Sequence, residues 1–228
     1  MKAAVMIFSL LLGCSGSQKS EEKQVHHKKD GMQHRFDDAE HWSKVFDAPE
    51  RDAWQKPTHV VELLEIEPGF TVVDIGAGTG YFMSYLSAAV GPEGSVLAVD
   101  IEPTLIAHMK QRAEGTGLTN VTAQLAEPND PGLDPASADR ILIVDTWHHI
   151  GDRRSYSMKL AEALKPGGSV YIVDFTLETE RGPGKKHRVE PEVVMGELAS
   201  AGLDIAELTE ELPDQYVVKG TLSSPSSP

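Results

Sequence analysis

The stretch TVVDIGAGTGYF, residues 71–82, joins a carboxylate, Asp74, to three alternating glycines, Gly76, Gly78 and Gly80. A β-branched run that ends in an acid and then exposes bare backbone suits a ligand that approaches the main chain closely at the carboxyl end of a strand. Two ligand classes use such a corner. A dinucleotide asks for G-x-G-x-x-G, with its pyrophosphate at the helix N-terminus and a third glycine where helix packs on strand. Counted from Gly76, that last position is Tyr81, whose ring opposes close packing. A second carboxylate, Asp100, ends the run VLAVD about twenty residues beyond the glycines, where an acid accepts hydrogen bonds from both ribose hydroxyls and would repel a 2′-phosphate. The alternative role for Asp100 is to cap a helix beginning near Pro103. A third cluster, VDTWHHIGD, brings Asp145, Thr146, Trp147, His148 and His149 to the end of a later apolar run. Histidine suits proton transfer near neutrality, its unperturbed pKa being about 6.5. Adjacent histidines in extended chain point opposite ways, so one faces a pocket while the other packs or caps; the sequence leaves open which. A two-histidine metal site would need further ligands, and none is expected.

These groups need a scaffold that brings strand ends together. Strands are expected at 71–75, 95–101, 120–125, 139–146 and 168–175. All but the third are nearly continuous apolar runs, as in strands covered on both faces. Helices are expected at 80–90, 103–114, 154–164 and 190–201, with Gly and Pro punctuating their ends. Further helices are expected at 37–46 and 58–67, and edge strands around 203–212 and 215–222. Strand–helix alternation predicts an α/β fold: a Rossmann-like, doubly wound, mainly parallel sheet with an antiparallel edge, in three α/β/α layers.

The pattern D-x-G-x-G-x-G followed by Asp100 resembles motif I of the class I S-adenosylmethionine (SAM) methyltransferases. LKPGGSVYIVDF, 164–175, resembles the turn and fifth strand of the same family, and the likeness runs over roughly 54–218. It implies SAM as cofactor, with the loop of Gly76, Ala77, Gly78 and Gly80 bending beneath its amino-acid end and ribose. Asp74 would order the loop or the ammonium. Asp100 would hold the ribose, with Ile101 beside it among the cofactor contacts, and Glu127 of LAEPNDPGL would lie near the adenine amino group. Asp145 would face the donor, and the acceptor site would open at the end of strand four, making Asp145, His148 and His149 the catalytic candidates. The Asn/Asp-Pro-Pro-Tyr/Phe motif of amino methyltransferases acting on bases or glutamine is missing from that position.

Three flanking pieces, RDAWQKP (51–57), GPGKKHR (182–188) and ELPDQYVV (211–218), resemble one subgroup of methyltransferase-domain proteins. The first could form a lid through Arg51, Trp54 and Gln55. Trp54, Trp147, His187 and Tyr216 are the expected acceptor contacts. The competing roles are a core anchor for Trp54 and a solvated basic loop for 185–188.

The chain of 228 residues with 40% apolar content suits one domain with extensions. Its formal charge of −14 argues against nucleic acid as a partner. Lys2 precedes an apolar run over 3–12, too short to span a bilayer, which needs about 20 residues. The run ends in LLGC and resembles a bacterial lipobox, which implies lipidation of Cys14 and a lipid-anchored protein of the bacterial cell envelope, on the outer-membrane or periplasmic side. Residues 1–13 would be the signal, 14–33 a tether, 34–222 the domain (34–67 its N-terminal helices) and 223–228 a tail. Cys14 is the single cysteine, so no intramolecular disulfide, thiolate zinc site or thiol nucleophile is expected. The leading expectation is a SAM-dependent methyltransferase acting on a small-molecule or membrane-proximal acceptor. The competing one is a non-catalytic lipoprotein that binds SAM or S-adenosylhomocysteine, and a nicotinamide-dependent reductase is disfavoured by Tyr81.

Overall fold

A computed structural model describes residues 38–208 and 212–224. The segment expected as a signal (1–13), Cys14 with the expected tether (14–33), and positions 34–37, 209–211 and 225–228 lie outside the described residues.

Seven strands form one sheet: β1 (Thr71–Ile75), β2 (Ser95–Asp100), β3 (Val121–Leu125), β4 (Ala138–Val144), β5 (Leu164–Phe175), β6 (Asp204–Leu208) and β7 (Gln215–Thr221). Their spatial order is β3-β2-β1-β4-β5-β7-β6. The first five strands run parallel, and β7 pairs antiparallel with both β5 and β6. The chain order reverses between β1 and β4, which makes their carboxyl ends the crevice of this open sheet.

Among the described residues seven α-helices flank the sheet: α1 (Ala39–Phe46), α2 (Arg51–Gln55), α3 (Pro57–Leu63), α4 (Met83–Val90), α5 (Pro103–Thr116), α6 (Arg153–Ala163) and α7 (Pro191–Ala199). Local chemistry sets their ends. The Asp38 carboxylate accepts from the His41 N–H at 2.9 Å, and Asp152 accepts from Ser155 at 3.2 Å. Pro103 and Pro191 open α5 and α7, where a missing N–H costs nothing. Gly117 closes α5 in the left-handed region. Several boundaries differ from expectation: α3 ends at Leu63 rather than 67, β4 at Val144 rather than 146, and β5 begins at Leu164 rather than 168. The helix expected from residue 80 begins at Met83, because Gly76, Gly78 and Gly80 turn the chain at φ values of 72°, 59° and 81°. The five-residue α2 falls in a segment expected only as a lid, being too short to show a helical period.

Strand alternation divides the core between the two faces. Val73, Ile75, Val99, Ile141, Ile143, Val170, Ile172 and Val218 pack with buried residues of α6 and α7. Val72, Val96, Leu142, Tyr171, Val173 and Val217 pack with α3 and α4, while Ala98 joins Met83 of α4 and Met109 of α5. On that register Asp74, Asp100, Phe175 and Gln215 lie on the face of the N-terminal helices, and Asp174 and Tyr216 on the other.

Gly76 is where the two central strand ends come closest. A Cβ built there would lie 2.2 Å from Thr146 Oγ1 and 2.4 Å from its Cγ2. Gly76→Ala therefore combines left-handed strain with overlap and is expected to destabilise the fold by about 1–3 kcal/mol. Urea denaturation should show part of that loss recovered in the Gly76→Ala/Thr146→Ala double variant, which removes the two nearest of the three overlapping atoms and leaves Thr146 Cβ at 2.8 Å. Purely additive losses would place the effect elsewhere.

Candidate functional site

The glycine turn is tied down from three sides. The Gly76 and Ala77 N–H groups both donate to the Val99 carbonyl, at 2.8 and 3.0 Å. The Gly78 N–H donates to Asp100 Oδ2 at 2.9 Å, and Asp100 Oδ1 accepts from the Glu102 N–H at 3.0 Å. Asp100 thus shapes the turn and lies just ahead of α5. Each carboxylate oxygen has two acceptor lobes, so lone pairs remain for a ribose. Burial raises the Asp100 pKa, and the backbone N–H bonds oppose that rise. Ile101 follows it at 48% exposure, an apolar side chain held in the open beside the turn. Glu127 is exposed, its backbone bridged to Asp130.

α1 and α2 close over the turn. A Cβ on Gly78 would meet the Phe46 ring at 3.5 Å, so the end of α1 lies against the glycines. Asp47 accepts from the Thr79 hydroxyl at 3.0 Å and pairs with Arg112 of α5 at 2.9 Å. Tyr81, the residue unsuited to a dinucleotide turn, is buried with its hydroxyl bonded to Asp52 and its ring 4.0 Å beneath the Arg51 guanidinium. Burial, then the Asp52 hydrogen bond, keeps that phenol protonated across the working pH range.

A closed polar ring joins the lid to the sheet. Arg51 Nη2 donates to Gln55 Oε1 (3.1 Å), Gln55 Nε2 to Gln215 Oε1 (2.8 Å), and Gln215 Nε2 to Asp145 Oδ1 (2.6 Å). Asp145 Oδ2 returns to within 3.9 Å of Arg51 Nη2. Asp145 sits at φ 52°, outside β4, with its N–H on the Val173 carbonyl, and that bend aims its carboxylate at the ring. Burial, then the Asp174 charge, pushes Asp145 up to about 7, against Arg51, Gln215 and His148. Asp74 is only 2% exposed, and its Oδ2 has no hydrogen-bond partner. Burial, partly countered by Arg51, pushes Asp74 up to about 7 as well.

The segment expected to open on the acceptor lies beyond Asp145. Trp147–His149 form a 3₁₀ turn. The His148 imidazole is 3% exposed, with Nδ1 at 2.9 and 3.0 Å from the two oxygens of the buried Asp174. A carboxylate only accepts, so Nδ1 carries the proton and Nε2 is left as the basic nitrogen. The His149 ring lies 4.2 Å from that of His148 and is half-buried. The paired placement expected for adjacent histidines resolves in favour of His148 as the oriented one.

Two expected acceptor contacts lie in the core instead. Trp147 is 0% exposed, donates from Nε1 to Glu197 at 2.9 Å and packs edge-on to Tyr156. Tyr216 is buried and donates its hydroxyl to the Val189 carbonyl at 2.9 Å. Both side chains follow the apolar face that packs α6 and α7, which the local run of polar neighbours concealed. Trp54 is half-buried, 6.0 Å from the Phe175 ring, with the Arg181 guanidinium 4.8 Å over it. His187 is half-buried in a 3₁₀ turn. The basic loop around it is fixed by Arg188, whose guanidinium donates to the carbonyls of Thr176, Thr179, Arg181 and Pro183. Sequence reasoning overlooked Asp174, although an acid ending the apolar run VYIVDF was the available signal.

A family model described as "Methyltransferase domain" matches residues 66–213. The chain belongs to that family. Demethylmenaquinone methyltransferase of Bacillus cytotoxicus is 24% identical over 165 residues, covering 72% of this chain and 68% of that protein. The Oceanobacillus iheyensis protein of the same name is 23% identical over 164 residues, covering 72% and 67%. Among solved structures, a SAM dependent methyltransferase from Aquifex aeolicus superposes with a TM-score of 0.75 at 26% identity, covering 80% of this chain and 97% of that one. The [4+2]-cyclase SpnF superposes with a TM-score of 0.63 at 13% identity, covering 75% and 81%, and shares the fold alone. The family is one of SAM-dependent methyltransferases, and the residues at this site fit such a cofactor. Asp100 retains acceptor capacity at the turn, and the buried orphan oxygen of Asp74 can accept from an ammonium.

The raised Asp74 pKa has a consequence for stability. The folded state keeps a proton on Asp74 where the unfolded chain, with a carboxyl near 3.8, has lost it. Stability should therefore fall as pH rises from about 4 to about 7, and level off above that. Asp74→Asn removes this dependence, so the variant should gain on the parent by up to about 1.4 kcal/mol per pH unit inside that window. Parallel urea-melt profiles from pH 5 to 8 would contradict it.

Proposed function

We propose that the domain transfers a methyl group from SAM to a small-molecule or membrane-proximal acceptor whose nucleophile carries a proton at neutral pH, with His148 as its base. The observation that carries this reading is the buried His148–Asp174 pair, which fixes one tautomer beside Asp145 at the carboxyl end of β4. When bound, SAM supplies an activated methyl on a sulfonium; the chain's own residues align the acceptor and exclude water. Gly76, Ala77, Gly78 and Gly80 would cradle the cofactor, Asp100 would take the ribose hydroxyls, Ile101 and Glu127 would flank the adenine, and Asp74 would take the ammonium. Nε2 of His148 would take the proton that the acceptor nucleophile gives up, and Asp174 would stabilise the resulting imidazolium. His149 and Asp145 line the same end of β4, and Trp54 and His187 border the acceptor mouth.

The names of the curated relatives support a small molecule as the acceptor class, without fixing the compound. The formal charge of −14 points the same way, away from nucleic acid. We further propose lipid attachment at Cys14 on the envelope face of a bacterial membrane, supported by the apolar run 3–12 and LLGC. Anchoring would raise the effective concentration of the enzyme against membrane-held acceptors.

A second reading, a binder of SAM or S-adenosylhomocysteine without methyl transfer, draws on the donor side alone, because Asp74 and Asp100 would serve such a ligand with or without an acceptor. Calorimetry and transfer of radiolabelled methyl into a lipid and small-molecule extract separate the two. Asp100→Ala should abolish S-adenosylhomocysteine binding. His148→Gln should hold affinity within about threefold and lose transfer by about 10²-fold or more. Binding without labelled product from the parent protein would favour the binder.

A further inference from the structure

Positive charge gathers round one hollow of this acidic chain. A cavity of about 360 Å³ opens between the loop after β5 and the first turns of α6 and α7. Arg153, Lys185 and Arg188 line it, against one carboxylate, Glu190. The other acids of that loop, Glu178 and Glu180, are exposed and do not line it. The three cations are not equivalent. Arg153 directs Nε to both oxygens of Glu197, at 2.9 and 3.0 Å, and Nη1 to the Ile150 carbonyl at 3.3 Å, which leaves Nη2 over. Arg188 is held by four carbonyls and fixes the loop. Lys185 is exposed, and its ammonium meets no acceptor among the described residues. Two helices begin at the rim, Arg153 being the first residue of α6 and Glu190 the N-cap of α7, so their dipoles add partial positive charge. Apolar side chains share the hollow: Leu177 is half-buried, Val189 buried and Val193 43% exposed. A free anion needs the cations alone. Hydrocarbon beside them suits an anion that is joined to hydrocarbon.

We propose that this hollow and its rim dock on a bilayer containing anionic phospholipid, with Lys185 and Arg153 meeting headgroup phosphates and Val193 entering the acyl boundary. The formal charge of −14 opposes such a surface, so the attraction has to be local. Lys186 stands beside Lys185, and Arg154 beside Arg153, both exposed. Each Lys or Arg within a Debye length of an anionic lipid surface strengthens attachment. An exposed apolar side chain among such cations is the pattern of an interfacial contact. A bilayer docked there would lie at the end of the sheet that carries His148. Leu177 follows Phe175, the last residue of β5, by two positions, and Arg153 holds Glu197, the hydrogen-bond partner of Trp147. Molecules held in the lipid would then reach that end without leaving the bilayer surface. The site depends neither on methyl transfer nor on lipid at Cys14.

The test is sedimentation of the full chain with vesicles of phosphatidylcholine alone and of phosphatidylcholine mixed with phosphatidylglycerol. The apolar run at 3–12 acts on both, so the quantity read is the ratio of the two affinities. The parent chain should favour the anionic vesicles by about tenfold or more at low salt. Lys185→Glu should lower that ratio about fivefold, and Lys185→Glu/Lys186→Glu should bring it to about one or below. Val193→Ser should weaken attachment to the anionic vesicles by about threefold. All these side chains are exposed, so the variants keep the fold. Lys110→Glu makes the same charge change on α5 and should leave the ratio near that of the parent. An equal fall in Lys110→Glu and Lys185→Glu would trace the effect to net charge and overturn the proposal, as would a parent chain with no preference. Inorganic phosphate that protects the parent against heat denaturation, but not Lys185→Glu, would show a free-anion site in place of a lipid surface and overturn it too.

Discussion

One guanidinium balances two carboxylates that burial would otherwise keep neutral. Asp74 and Asp145 close adjacent central strands, and both are desolvated and pushed up to about 7. Arg51 lowers both, and the same burial lowers its own affinity for its proton. The energetics of such a group are dominated by desolvation, so the interaction adds little net stability and a great deal of positional demand. The charge must enter from a segment outside the sheet, since β1 and β4 leave no room between them: Thr146 already lies against Gly76. That demand accounts for α1 and α2. They contribute no fully buried apolar side chain: the buried residue of α2 is the polar Gln55, and none is buried in α1. They are held by polar contacts that converge on the crevice.

The same convergence brings three short pieces far apart in sequence to one place. Arg51 and Gln55 come from RDAWQKP, Gln215 and Asp214 from PDQY, and Arg181 and Arg188 from the ends of the basic loop. Gln55 meets Gln215 across 160 positions. Asp214 accepts from Arg181 at 2.9 Å and from the Thr179 hydroxyl, while Arg181 covers Trp54. Gly182 lets its loop press against Phe175, where a Cβ would sit 2.5 Å from the ring. One continuous wall runs from the glycine turn past Trp54 to the loop at 181–188, assembled at the end of the sheet where the antiparallel strand β7 returns to β5.

The sheet order, its parallel core and its antiparallel edge were legible because apolar period and punctuation are local signals. Gly76, Gly78, Gly80 and Asp100 were legible for a similar reason: turn geometry and strand ends are written within a few residues of the groups they place. Direction of side chains was not. Whether Trp147 or His148 faces the crevice depends on a 3₁₀ turn that begins after Asp145 enters the left-handed region, and nothing in VDTWHH announces that bend. Trp147 and Tyr216 have polar handles that suited an acceptor mouth, yet Glu197 and the Val189 carbonyl satisfy those handles inside the core. α2 was illegible as a helix because five residues carry barely more than one turn of pattern.

Strand alternation also separates the two halves of the chemistry. Asp74, Asp100 and Gln215 lie on the face covered by α1–α5, and Asp174, which orients His148, lies on the face covered by α6 and α7. Asp145 stands where those faces meet, bonded to Gln215 on one side and raised by the Asp174 charge on the other. Charge on Asp145 is therefore felt by the Arg51 guanidinium and by the His148–Asp174 pair alike, so one carboxylate at the switch of the sheet ties the lid to the 3₁₀ turn.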